Sequence, residues 1–131
     1  MSRARAARTT ALVAAALLLA IALPALGGCA PTLPSDPPGI VGAVTSVAAG
    51  DGRPASVSVE GTLQPAGAVS DKALVTIPPS AMFFDAGGRA ASLAAISGIA
   101  KGTRLRVWFA GAIAESYPVQ GSAKAIQILD K

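Results

Sequence analysis

The clearest period-two pattern in the chain lies between Thr103 and Gly111. A repeat of two places successive side chains on opposite faces of an extended strand, so one row is expected in a core and the other outside it. The predicted core row is Leu105, Val107 and Phe109, and the opposite row is Arg104, Arg106 and Trp108.

Four other short apolar runs, separated by Gly, Pro and Asp residues, predict further strands. A turn signal at Gly50-Asp51-Gly52 lies between the first two of them, and Pro78-Pro79 must end the third. Met82-Phe83-Phe84 predicts a short extended piece that carries aromatic side chains into the core. The four strands are predicted at 40–47, 56–60, 72–77 and 124–129.

One short helix is predicted at residues 92–96. Ser92 can cap its first turn, Gly98 can end it, and Leu93 and Ile96 are expected to share one apolar face. Three strands, this helix and two further strands predict a mainly β domain, folded as a small five-stranded OB-like β-barrel. A small sandwich, or an open sheet with the helix on one face, is the alternative architecture.

Residues 1–28 have the organisation of an export signal, with three arginines followed by an uncharged apolar run at 11–23. The segment ends in Leu26-Gly27-Gly28-Cys29, which has the pattern of a lipobox: a branched apolar residue, two small residues and the cysteine that receives the lipid. A permanent transmembrane anchor is disfavoured because the run is shorter than the ~20 residues that span a bilayer. Ordinary secretory cleavage, which leaves a free thiol, is a second alternative.

Residues 29–39 carry the predicted lipidated cysteine and four prolines. Proline at this density disfavours helix and sheet pairing and favours an extended, semi-rigid chain. We therefore expect a linker that holds a barrel domain of residues 40–131 about 30 Å from its anchor, at ~3.1 Å per residue. A proline-rich recognition segment is the alternative interpretation.

The basic character of the whole chain comes largely from its leader. Three of the eleven Arg and Lys residues lie there and all seven acidic residues lie beyond it, so eight basic and seven acidic residues remain from Cys29 onward. A nearly neutral protein lacks the broad positive field that nucleic-acid binding generally uses. We therefore expect no nucleic-acid partner.

Few residues that support catalysis are present. The chain has no histidine, which excludes a Ser-His-Asp triad and a histidine metal site. The only cysteine is the predicted lipid site, and the carboxylates are scattered singly. The Gly87-Gly88 pair lacks the lysine and the flanking elements of a phosphate loop. We expect no enzyme activity, no cofactor and no metal.

The remaining candidate binding face is the polar row of the alternating strand, with Tyr117 nearby. Arginine beside an exposed aromatic ring can hold anionic or sugar-like groups, and strand faces of OB-type barrels bind oligonucleotides and oligosaccharides. In the simpler interpretation, which we favour, Trp108 covers an open end of the barrel or its helix and the arginines are solvated. The candidate site residues are Arg104, Arg106, Trp108 and Tyr117.

Three C-terminal segments, at 104–111, 115–120 and 123–126, resemble a known group of proteins. The most specific of them is Glu-Ser-Tyr-Pro-Val-Gln at 115–120. Over roughly residues 40–129 the chain resembles the YobA-like bacterial domain of unknown function, which is found in small lipoproteins and related exported proteins. The resemblance implies an OB-type barrel and an exported address, and it brings no established activity.

These features predict an extracytoplasmic lipoprotein, anchored to the bacterial cell membrane by a lipid such as palmitate on Cys29. We expect the barrel to be a non-catalytic binding or interaction module of the cell envelope, with an envelope protein or a glycan as its partner. One alternative is a structural or accessory envelope subunit without a small ligand. An OB-type oligosaccharide or nucleic-acid binder is the third.

Overall fold

The computed structural model describes residues 30–63 and 71–130, and this part of the chain is mainly β-structure. The predicted signal peptide and the lipobox residues Leu26, Gly27, Gly28 and Cys29 lie outside the described residues. The elements in chain order are β1 (Ile40–Ala49), β2 (Pro54–Leu63), β3 (Lys72–Thr76), β4 (Met82–Phe84), α1 (Leu93–Ser97), β5 (Arg104–Ala114) and β6 (Val119–Asp130).

Five of the six strands close into a barrel. β1 pairs antiparallel with both β2 and β5, β2 pairs antiparallel with β3, and β5 pairs antiparallel with β6. A parallel pairing of β3 with β6 completes the ring in the order β1-β2-β3-β6-β5. β4 is an extra strand that pairs in parallel with β6, outside the ring.

The predicted five-stranded barrel with one short helix between its third and fourth strands is confirmed. Four of the five barrel strands are longer than the apolar runs that predicted them, and β3 ends one residue earlier, at Thr76. β6 begins at Val119 rather than Lys124, because Gly121 and Ser122 contribute backbone hydrogen bonds to the ladder with β3. Apolar patterning marks buried side chains, whereas ring closure needs only the backbone of these residues.

Inward-facing side chains fill the barrel with one apolar core. In β5 both Leu105 and Val107 are fully buried, as predicted, and Ile126 of β6 joins them. Phe83 of β4 belongs to the same core, so the extra strand helps to cover the barrel. The buried members of this core are Ile40, Val44, Val57, Val59, Ala73, Val75, Ile77, Ala81, Phe83, Ile99, Leu105, Val107, Ala123 and Ile126.

The ring of Phe109 lies between two glycines at the margin of this core. Phe109 is partly buried and packs against the core residues. A β-carbon at Gly39 would lie 2.3 Å from Phe109 Cδ2, and one at Gly121 would lie 2.6 Å from Cδ1. Neither position accepts a larger residue unless the ring moves, because real β-carbons do not approach so closely. Phe109 therefore belongs to the inward row as predicted, although it is the least buried member.

β1 and β2 cross closely where two glycines face each other. Gly42 pairs with Gly61, and a β-carbon on Gly42 would lie 2.1 Å from the carbonyl oxygen of Glu60. A register shift lies a little farther along β1, between Val44 and Ser46. Close approach and a bulge both increase the coiling of a strand pair, which is what closing a small barrel requires.

The helix α1 is a single capped turn. The Ser92 Oγ accepts a hydrogen bond of 3.1 Å from the backbone N–H of Ala95, and Gly98 follows as the C-cap. Ile96 is partly buried against the core, but Leu93 is 82% exposed. The prediction that Leu93 and Ile96 form one packed face is therefore wrong, because so short a helix contacts the barrel only through its second half.

Replacing Phe109 with Ala should destabilise the barrel by about 3 kcal/mol, the lower part of the usual range for an emptied aromatic core site, since the ring is only partly buried. Leu93→Ala is the matched control and should leave the free energy of unfolding nearly unchanged, because that side chain is exposed. Urea denaturation followed by circular dichroism measures both. Equal losses at the two positions would contradict the inward assignment of Phe109.

Candidate functional site

The outer row of β5 consists of two exposed arginines and one buried tryptophan. Arg104 and Arg106 are exposed, whereas Trp108 retains only 4% of its accessible surface. This burial argues against the interpretation in which an exposed aromatic ring lies beside the arginines. It agrees with a covering role for Trp108, although the surface it covers is the outer wall of the barrel.

Trp108 is the centre of a second apolar cluster on the outside of the sheet. Phe84 of β4 and Ala125 of β6 pack with it and are fully buried. Leu33, from the segment before the first strand, packs against this cluster. Since Phe84 and Trp108 point away from the barrel core, they are shielded from water by residues outside the five-stranded ring.

The segment that precedes β1, residues 32–39, is fastened to the barrel at three further points, and we call it the N-terminal strap. The indole Nε1–H of Trp108 donates a hydrogen bond of 2.7 Å to the backbone carbonyl of Asp36. The ammonium of Lys124 lies 3.3 Å from the Asp36 carboxylate. The backbone N–H of Gly39 donates to the carbonyl of Val107 at 2.8 Å.

A β-bulge in β6 places Lys124 beside the strap. Trp108 pairs with Ala125 and Phe109 pairs with Ala123, so Lys124 is the extra residue between two paired positions. A bulge of this kind redirects a side chain that regular alternation would point elsewhere. Here the redirected ammonium reaches Asp36 on the outer face.

These contacts change the expected role of the proline-rich segment. The sequence predicts that residues 29–39 form an extended spacer ahead of a domain that begins at Ile40. Leu33 and Asp36 instead contact the outer face of the barrel, and Gly39 is hydrogen bonded to the backbone of β5. The prolines permit this because an extended chain without strand pairing can still bury one leucine and offer one backbone carbonyl.

Arg106 is tied to a buried amide. Its Nη1 donates a 3.1 Å hydrogen bond to Oε1 of Gln127, which is only 3% exposed. The Nε2 of Gln127 in turn donates to the backbone carbonyls of Asp85 and Ala86, at 3.1 and 3.3 Å. Arg106 therefore completes the hydrogen bonding of a buried side chain that holds the turn after β4.

Arg104 has a different environment. Its Nη1 lies 4.0 Å from the carboxylate of Asp130, and both side chains of this pair are exposed.

Tyr117 lies apart from the arginines, in the connection between β5 and β6. Arg104 begins β5 and Ala114 ends it, which separates the two ends by about 30 Å at ~3.3 Å per residue. Tyr117 is 67% exposed, and its hydroxyl donates a 3.2 Å hydrogen bond to Asp71. The structure therefore does not bring together the four residues that the sequence proposed as one face.

Charged residues of β2 and β3 lie next to Tyr117. The ammonium of Lys72 is 3.3 Å from the carboxylate of Glu60 on the neighbouring strand. The hydrogen bond and the charge of Glu60, with a smaller contribution from Tyr117, raise the pKa of Lys72 above its ordinary value. The lysine is therefore charged at neutral pH. Tyr117, Asp71, Lys72 and Glu60 form a polar group with one exposed aromatic ring, which we call the Tyr117 cluster.

An open groove runs along the strap. It has a volume of about 490 Å³ and its wall includes Met82 of β4, which is 42% exposed, and Lys124. The remaining lining residues are Thr32, Leu33, Pro34, Ser35 and Asp36. The groove is therefore bounded on one side by the strap itself.

Within 30–63 and 71–130, no group of three or more His, Cys, Asp or Glu side chains could hold a metal ion. No helix in this same part of the chain is long and apolar enough to cross a membrane.

Comparison with known proteins identifies one domain. Residues 66–130 match the family model described as a protein of unknown function (DUF3221). The matched region contains β3 to β6 and α1, and it begins after β1 and β2. No curated protein and no solved structure matches the chain.

Sequence reasoning missed the residues that fasten the strap. Leu33 is the one large apolar side chain in the otherwise polar and proline-rich stretch 30–39, and this isolation is a signal that it is buried. Asp36 and Gln127 carry no comparable signal, because their roles depend on a backbone carbonyl and on a turn that is distant in sequence.

Proposed function

We propose that this chain is a lipid-anchored extracytoplasmic protein whose barrel is a non-catalytic binding module of the cell envelope. The unknown-function domain at 66–130 is compatible with the finer assignment to the YobA-like group, which stays part of this proposal. The anchor rests on Leu26-Gly27-Gly28-Cys29 after a short apolar run. Leu33, four residues after Cys29 in the sequence, packs against the outer cluster of the barrel.

The observation that supports a binding role is the exposed ring of Tyr117. Two-thirds of this residue is exposed, yet its hydroxyl is held by Asp71, which directly precedes β3. An aromatic ring that is both exposed and fixed in place loses little conformational entropy on binding, and such residues are enriched at interfaces. The surrounding carboxylates and ammonium offer hydrogen bonds to the hydroxyls of a glycan or the polar groups of a protein.

The second candidate function, a structural or accessory envelope subunit, is favoured by the other half of the predicted face. Trp108 is buried and Arg106 is hydrogen bonded to buried Gln127, so both side chains stabilise the domain itself. The two functions differ in one respect. A binding module requires Tyr117 for capture of a partner, whereas a purely structural subunit does not.

Cys29→Ala should abolish incorporation of labelled palmitate and leave the protein as uncleaved precursor or released from the membrane. The thioether that would carry the lipid needs the cysteine sulfur, and the chain has no second cysteine to replace it. Labelling in growing cells followed by membrane fractionation measures both effects. A wild-type protein that takes up no label and is found free in the medium would refute the anchor.

A photo-crosslinking side chain at Glu115, next to the Tyr117 cluster, should capture a discrete envelope partner in intact cells. The same probe at Ala48, an exposed position at the end of β1, is the control and should not. Tyr117→Ala should remove the Glu115 adduct without changing the thermal unfolding temperature, since the tyrosine is exposed. An adduct that survives Tyr117→Ala would eliminate this cluster as the site, and no adduct at either position favours the structural role.

A further inference from the structure

We propose that the strap side of the barrel rests on the anionic headgroups of the same membrane that holds the lipid on Cys29. This surface consists of the strap, Met82 and the turn that follows β4. The inference rests on the proposed lipid anchor and adds an orientation to it. The barrel is then a module with one membrane-facing wall rather than a domain that tumbles freely at the end of a spacer.

Only a short length of chain separates the proposed lipid site from the first fixed contact on the barrel. Leu33 is packed against the outer cluster, and it is four residues after Cys29. A polypeptide spans at most ~3.6 Å per residue, so four residues reach no farther than about 14 Å. The wall that carries Leu33 must therefore stay close to the lipid headgroups. If the chain were an extended linker up to Ile40, the barrel could lie much farther from them.

The surface around Leu33 combines an exposed apolar side chain with basic residues. Met82 is 42% exposed beside the groove, which places a pliable apolar side chain at this surface. A β-carbon on Gly88 would lie 3.0 Å from Leu33 Cδ1, so the turn after β4 reaches the strap, and the exposed Arg89 follows it. A partly exposed methionine next to basic side chains suits the boundary between acyl chains and anionic headgroups.

The strap side of the barrel carries a small excess of basic residues. The outer row of β5 and its neighbours carry four basic side chains and three carboxylates, Asp36, Asp85 and Asp130, so basic residues are in excess by one. Asp36 accepts from Lys124 and Asp85 accepts from the backbone N–H groups of Gly87 and Arg89, at 2.9 Å each. The basic residues on this side are Arg89, Arg104, Arg106 and Lys124.

The opposite wall of the barrel offers a contrast. β2 lies between β1 and β3, across the ring from the junction of β5 and β6. Its outward row contains Ser56 and Ser58 and ends at Glu60. The contacts of the strap described above are with β5 and β6 rather than with β2. The chain therefore provides a matched position, Ser58, for comparison with Met82.

The experiment uses single labels on the lipidated full-length protein. Cys29 is the only cysteine and its sulfur is occupied by the lipid, so Met82→Cys or Ser58→Cys introduces a unique reactive thiol. Each variant is labelled with a fluorophore and reconstituted in vesicles of phosphatidylglycerol and phosphatidylcholine that contain a headgroup nitroxide. We expect the label at position 82 to be quenched several-fold more strongly than the label at position 58.

Equal quenching at the two positions, in protein that carries the lipid and sediments with the vesicles, would overturn the orientation and leave the anchor intact. Protein that carries no lipid by mass spectrometry would overturn the anchor and the orientation together. Replacing phosphatidylglycerol with phosphatidylcholine should reduce the difference in quenching between the labels at positions 82 and 58. A difference that does not change would overturn the contribution of headgroup charge.

Discussion

The structure depends on how the outward-facing Trp108 is covered. Strand alternation places this side chain on the wall of the barrel opposite the core, where a large indole would be exposed to water. Phe84 and Ala125 flank it on the sheet, and Leu33 and Asp36 come from the strap to cover it and accept its hydrogen bond. One buried ring thus determines the position of β4 and of the chain before β1.

This constraint changes where the domain begins. The matched family region starts at residue 66, but the ring cannot close without β1 and β2, which lie earlier in the chain. The strap adds residues 32–39 to that folded unit through a leucine, a carbonyl and an ion pair. The folded unit therefore extends from the strap to the end of β6, and the chain that separates it from the proposed lipid site is short.

Much of the fold is predictable from the sequence because apolar periodicity reflects burial directly. Alternation identified β5 and its inward residues Leu105 and Val107, and turn residues marked the ends of the neighbouring strands. The candidate face was less predictable. Alternation showed that Trp108 points away from the core, but it contains no information on whether another segment covers that side. The separation of Tyr117 from Arg104 likewise depends on the length of β5, which exceeds its apolar run.

The central claim, that the strap is docked on Trp108, is tested most directly by hydrogen exchange at the indole N–H. The chain has one tryptophan, so a single indole resonance reports on this site in a nitrogen-15 NMR spectrum. We expect slow exchange in the wild-type protein, because the indole N–H is buried and bonded to the Asp36 carbonyl. Exchange should become faster in Leu33→Ser, which loosens the strap. Rapid, solvent-like exchange in the wild-type protein, with the barrel amides still protected, would contradict the account.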